Sequence, residues 1–160
     1  PNTSSAASDV YKRQGFDFDH GALEIAFKRA QLEQLDLLPL WLDAANPSPS
    51  QGWGEAERMG LAGRAQPDAL LALAFIHHIA IGRNVPLDMA VDWLVSLAPA
   101  GVIEFPHKED PMVQLLLSQR PDIFPDYRNE TFANLLSQRA RIVKAVDVLP
   151  TRTLLSLIHI

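Results

Sequence analysis

Asp68-Ala-Leu-Leu-Ala-Leu-Ala-Phe-Ile-His77-His78 is the stretch on which the reading of this chain turns. From Ala69 to Ile76 every residue is apolar, and polar residues bound the run on both sides. A run of this length fits a strand buried on both faces, as inner strands of a parallel sheet are. Its alanines and leucines suit a helix equally, and periodicity alone leaves both readings open.

The segments on either side point to strands alternating with helices. Upstream, Gly15-Phe-Asp-Phe-Asp19 alternates aromatic with acidic residues, the period-two pattern of a strand end. The stretch from His20 to Gln34 reads as a helix with Leu23, Phe27 and Ala30 on one face. Leu37 to Leu42 is a short apolar run that ends before Asp43, and its Pro39 suggests an edge strand. Asn46 to Trp53 is a loop by composition, and a helix is expected over Glu55 to Arg64.

Downstream, Pro86 opens a helix with Leu87, Val91, Leu94 and Val95 inward. Gly101 to Phe105 is a short strand, and Asp110-Pro111 is an N-cap and first-turn pair for a helix running to Gln119. A further helix covers Asn129 to Gln138, carrying Phe132, Leu135 and Leu136. Ala140 to Val148 and the residues from Thr151 onward read as two strands joined at Pro150. The order β-α-β-α-β-α-β-α-α-β-β indicates an open α/β sheet, mostly parallel, with an antiparallel strand pair at its end.

The two ends of the chain require a separate reading. Asp9 to Gln14 and Leu155 to Ile160 resemble translations of one transposase mosaic-end element, read in opposite directions. Residues 1–14 and 155–160 are therefore expected to be adaptor-derived, non-native tails around a partial domain over 15–154. Residues 1–14 are expected to lack contacts with the core, whereas Leu155, Leu157 and Ile158 can prolong an apolar strand.

The chain carries 14 Lys and Arg against 19 Asp and Glu, a formal net charge of −5. Setting the two tails aside leaves it acidic, which argues weakly against a nonspecific nucleic-acid surface. Without cysteine there is no disulfide and no thiolate metal site. No apolar run is long and clean enough to span a membrane.

In open α/β sheets ligands bind beyond the C-terminal ends of the strands. The residues found there are Asp17 and Asp19 after the first strand, Asp43 after the second, and His77 and His78 after the third. An acid at the first position can accept hydrogen bonds from both ribose hydroxyls of a nucleotide cofactor. An acid at the second can accept one from an exocyclic amine. Strand-end aspartates also cap the following helix, and spacing alone does not separate the two roles. A neutral histidine near a reacting nucleophile can take its proton. It can equally cap a strand end or pack in a turn, and adjacent residues on a strand point to opposite faces. A zinc site combining the histidine pair with His107 or Asp110 is disfavoured, because adjacent ligands chelate poorly. Trp53, in a loop, can cover a ligand or anchor packing.

The aspartate, apolar run and His-His of 68–78 resemble the fourth-strand motif of class I S-adenosylmethionine-dependent methyltransferases. Val102-Ile-Glu-Phe105, Lys108-Glu-Asp-Pro-Met-Val-Gln-Leu-Leu-Leu117 and Asp122-Ile-Phe-Pro-Asp-Tyr127 resemble a NoeA-like bacterial subgroup of that family. So do Asn46-Pro47, Gly52-Trp53 and Glu57-Arg58. The resemblance spans essentially 15–154. It implies a Rossmann-like methyltransferase sheet lacking its first strand and glycine-rich loop, which would precede Gly15, and hence either a gap between the strand ending at Asp17 and the strand beginning near Asp68 or direct, non-native pairing across it. It implies S-adenosyl-L-methionine as cofactor, a cytoplasmic location, and an unknown methyl acceptor for which nucleic acid is not favoured. Carried over, Asp17 and Asp19 fall at the cofactor ribose, Asp43 beside the adenine, and Phe75 and Ile76 beside the methionine part. His77 and His78 become the catalytic candidates, and no metal is implied. An Asn-Pro-Pro-Tyr/Phe motif does not follow the fourth strand, which disfavours an adenine target. The competing readings are a different nucleotide-binding α/β enzyme, such as a dehydrogenase, and a degenerate cofactor-binding or interaction domain.

Overall fold

The computed structural model describes residues 13–64 and 66–159. They fall into two compact units, divided between Pro47 and Ser48.

The first unit is a β-α-β element. Strand β1 (Arg13–Asp17) and strand β2 (Leu37–Trp41) run parallel, with Arg13 beside Leu37 and Asp17 beside Trp41. Helix α1 (His20–Leu32) connects them. It starts where it does because the Asp19 carboxylate accepts the free N–H groups of Gly21 and Ala22. Gln34, at φ 51°, turns the chain out of the helix. Ala30 is buried and Leu23 half-buried, but Phe27 is exposed, so the expected inward face is only partly realised. Pro39 stands opposite Gly15 in the two-stranded ladder.

The second unit holds four strands in the order β3-β4-β6-β5. Strand β3 (Leu70–Ala72) is parallel to β4 (Ala100–Pro106). Strands β5 (Ala140–Leu149) and β6 (Arg152–His159) form the expected antiparallel pair, and β6 also lies antiparallel to β4. The helices are α2 (Leu61–Arg64), α3 (Leu87–Leu97), α4 (Pro111–Leu117) and α5 (Asn129–Ser137). The inward residues expected for α3 are all buried. Phe105 of β4 stacks on Phe132 of α5 at 4.6 Å and on Tyr127 at 4.7 Å. Ile76, Ile103, Val113, Leu136 and Leu155 are likewise fully enclosed. Among the described residues no helix is long and apolar enough to cross a membrane.

Several expectations need correction. The strand expected over 68–76 is only Leu70–Ala72; Ala74 takes a positive φ of 49°, and His78–Gly82 form a π-helical turn. The helix expected over Glu55 to Arg64 breaks into a 3-10 turn at Trp53–Glu55 and the short α2. Positive φ at Gly52, Gly54 and Glu55 interrupts any continuous helix there. The strands of the described residues form two ladders, β1-β2 and β3-β4-β6-β5, as the expected gap between the strand ending at Asp17 and the strand near Asp68 allows. The terminal expectation fails at Arg13 and Gln14, which pair with Leu37 and Leu38; residues 1–12 lie outside the described ones. At the other end β6 continues through Leu155 to Ile158, as the apolar alternation allowed. Ladder formation uses backbone groups, so a strand extends wherever alternation permits.

Candidate functional site

In the first unit the parallel register brings the acids to one edge. Asp17 ends β1 opposite Trp41, and Asp43 lies two residues beyond the end of β2. Asp17 is exposed, and its Oδ1 accepts the Asp19 N–H at 2.9 Å. Asp19 is the helix cap described above, and one of its oxygens, Oδ1, takes both helix N–H groups at 2.7 and 3.2 Å. Asp43 is half-buried and accepts the Ala45 N–H at 3.0 Å. Of the two roles weighed for these acids, the bonds present are those of the second: each organises local backbone at a strand end. A carboxylate has about four lone-pair directions, so one backbone bond does not exhaust Asp17. Beside it the His20 ring stacks on Trp41 at 5.9 Å, and Trp41 Nε1 donates to the Phe18 carbonyl at 3.0 Å. That aromatic pair was not singled out in the sequence.

In the second unit the C-terminal ends of β3 and β4 meet the start of β6, since Pro106 pairs with Arg152. Phe75, Ile76, His77 and His78 follow β3 in a turn rather than lying on the strand. Phe75 is half-buried, 6.2 Å from the Trp93 ring. Ile76 has no exposed surface and packs in the core. The histidine rings sit together, 4.1 Å apart, because the chain has already turned.

His77 is 1% exposed and both its ring nitrogens lack a hydrogen-bond partner. Burial first, then the neighbouring His78 and Arg152, lower its pKa from 6.5 to about 4, against a smaller opposing pull from Asp110. His77 is therefore neutral at pH 7. His78 is half-buried.

A buried charge cluster at the same edge was missed as a unit. Arg152 donates from Nε to Asp110 Oδ2 at 2.7 Å and from Nη2 to Oδ1 at 3.2 Å. Its Nη1 stands 3.5 Å from Glu104 Oε1, and Glu104 Oε2 accepts the Ala74 N–H at 2.5 Å. Asp110 also caps α4 through the Met112 N–H, as expected, and accepts from the Thr151 hydroxyl. Its carboxyl is held below the usual carboxylate range, chiefly by the Arg152 guanidinium. The clue to Glu104 was available: a lone charge inside Val-Ile-Glu-Phe interrupts a strand otherwise fit for a core. His107 lies apart from the histidine pair in its bonding, with Nε2 2.8 Å from Thr153 Oγ1. Trp53 is 90% exposed and anchors no packing.

No family model matches the chain. Over 132 residues it is 56% identical to the nodulation protein NoeA of Rhizobium meliloti strain 1021. The match takes in 82% of this chain and 28% of NoeA, so the chain spans little more than a quarter of that relative's length. Solved structures share its fold at low identity. A protein from Pyrococcus horikoshii OT3 superposes with a TM-score of 0.60 at 12% identity, covering 92% of this chain and 71% of that one. The 16S rRNA methyltransferase RmtF, in complex with S-adenosyl-L-homocysteine, gives 0.58 at 13% identity, covering 92% and 47%. The pyocyanin biosynthetic protein PhzM gives 0.52 at 13% identity, covering 92% and 42%. At such identities the likeness establishes the fold.

Proposed function

We propose, for a chain with the Rossmann-like fold of class I methyltransferases and a NoeA-like sequence, that the full-length protein is an S-adenosylmethionine-dependent methyltransferase. The observation that carries this reading is the placing of Asp17 and Asp43 at the C-terminal edge of two parallel strands. The fold is one shared with an enzyme solved in complex with S-adenosyl-L-homocysteine.

The residues fit such a cofactor by their chemistry. Asp17, exposed with acceptor capacity left, suits the ribose hydroxyls, with Asp19 beside it; Asp43 suits the adenine amine. Phe75, half-buried after β3, supplies an apolar wall for the methionine part. When bound, the cofactor supplies an electrophilic methyl group on a sulfonium. The protein's work is to align an oxygen, nitrogen or carbon nucleophile with that methyl and to receive the proton the nucleophile loses. Of the histidine pair, His78 suits the base role, since solvent reaches it. His77 is sealed, and a base with pKa near 4 is poorly matched to neutral pH. His77 acts instead as a neutral wall against the His78 ring.

The acceptor class includes nucleic acid. RmtF and a second neighbour of this fold, from Escherichia coli, are rRNA methylases by name. The acidic charge weighed against nucleic acid belongs to this segment and does not describe the whole protein.

The test is transfer of labelled methyl from S-adenosylmethionine by full-length protein into whole-cell extract, fractionated into RNA, protein and small molecules. Label should enter one fraction and be lost with Asp17→Ala. No protein-dependent label in any fraction contradicts the reading and favours a degenerate cofactor-binding domain.

A further inference from the structure

The turn that carries the histidine pair is held by a buried chain of charges. Ala74 has a left-handed backbone, which a non-glycine residue adopts at a cost. Its N–H is bound by Glu104, Glu104 faces Arg152, and Arg152 forks onto Asp110. The Glu104 and Asp110 side chains are nearly enclosed. Buried ion chains of this kind seldom add net stability compared with apolar packing; their best-attested use is to specify one arrangement. Here the arrangement specified is the path of residues 73–78, which β3 ends too early to fix.

We propose that Glu104 and Arg152 are positioning residues, which set the Phe75–His78 turn by holding the Ala74 N–H. This rests on the reading of that turn as part of the methyl-transfer site. Glu104 touches neither histidine in the bonds described; it acts through the backbone of Ala74. Arg152 orients Glu104 from one side while Asp110 anchors Arg152 from the other. The same device explains why Asp110 is both a helix cap and an ion-pair partner.

The test uses full-length protein with nitrogen-15 histidine, comparing wild type, Glu104→Gln and Glu104→Leu. Glutamine keeps an acceptor for the Ala74 N–H and removes the charge; leucine removes both. The readout is the titration of the His77 ring by NMR, a local property read in the folded protein. The charged and titratable groups facing His77 are His78, Arg152 and Asp110, none of which is changed. Glu104→Gln should leave the His77 pKa where it is. Glu104→Leu should raise it by about one to two pH units toward the free imidazole value as the turn opens to water. An unchanged His77 in folded Glu104→Leu overturns the proposal, and so does an equal rise in both variants. If Glu104→Leu does not fold, amide exchange at Ala74 decides. Protection in wild type and Glu104→Gln supports the proposal, and fast exchange overturns it. Binding of S-adenosyl-L-homocysteine is measured alongside. Its failure in wild type removes the methyltransferase reading, while the His77 and Ala74 comparison still decides the positioning.

Discussion

At the scale of single residues, the site depends on where charge is tolerated. Asp17 is exposed and offers acceptors, so its removal should leave the fold intact. In full-length protein Asp17→Ala should weaken S-adenosyl-L-homocysteine binding by about 1–3 kcal/mol, the scale of hydrogen bonds to a charged acceptor. An unchanged dissociation constant would remove Asp17 from the site. His77 makes an opposite kind of statement, because its neutral form is the one the fold accepts. The unfolded chain takes up a proton near pH 6.5, whereas folded His77 does so only near pH 4. Stability present at pH 7 is therefore lost as pH falls through that window, by up to about 3 kcal/mol. Asp110 acts in the next window down. Its lowered pKa gives stability that is present above the usual carboxylate value and lost as pH falls through the folded one. Urea denaturation at pH 7 and pH 4.5 should show the first loss in wild type and a much smaller one in His77→Leu. Equal losses in both would show that His77 is not the group responsible.

At the scale of elements, close backbone approach and aromatic stacking hold the second unit together. Gly101 admits β3: a Cβ there would stand 2.8 Å from the Leu70 carbonyl oxygen. Gly101→Ala should thus separate β3 from β4 and lower the urea midpoint, with a cost of about 1–3 kcal/mol. Phe132, enclosed between α5 and the Phe105 ring, should cost about 3–5 kcal/mol when cut to alanine. A midpoint within error of wild type for either variant would contradict the packing described. The legibility of these elements in the sequence follows their signals. Helices α3 and α5 were readable from apolar spacing, and α4 from Asp110-Pro111, because caps and periodicity are local properties. The antiparallel β5–β6 pair was readable from two apolar runs around one turn. The end of β3 was not, since Leu73 to Ile76 remain apolar in either conformation and tertiary contact with Glu104 decides the bend. The acids and histidines at strand ends were legible as positions. The Glu104–Arg152–Asp110 chain was not, because it joins residues up to 48 apart.

At the scale of the molecule, two sheets are built from one alternation of strands and helices, and each presents its chemistry at the C-terminal ends of parallel strands. That is where α/β proteins bind ligands, which is why the strand-end aspartates and histidines were each weighed as ligand-binding candidates. A dehydrogenase would use the same strand-end acid for a nicotinamide ribose, so fold and acid together do not choose the cofactor. The choice is measured by isothermal titration of full-length protein with S-adenosyl-L-homocysteine and, in parallel, with NADH. The account predicts saturable one-to-one binding of S-adenosyl-L-homocysteine and no heat of binding with NADH. Binding of NADH alone, or of neither ligand, would contradict it.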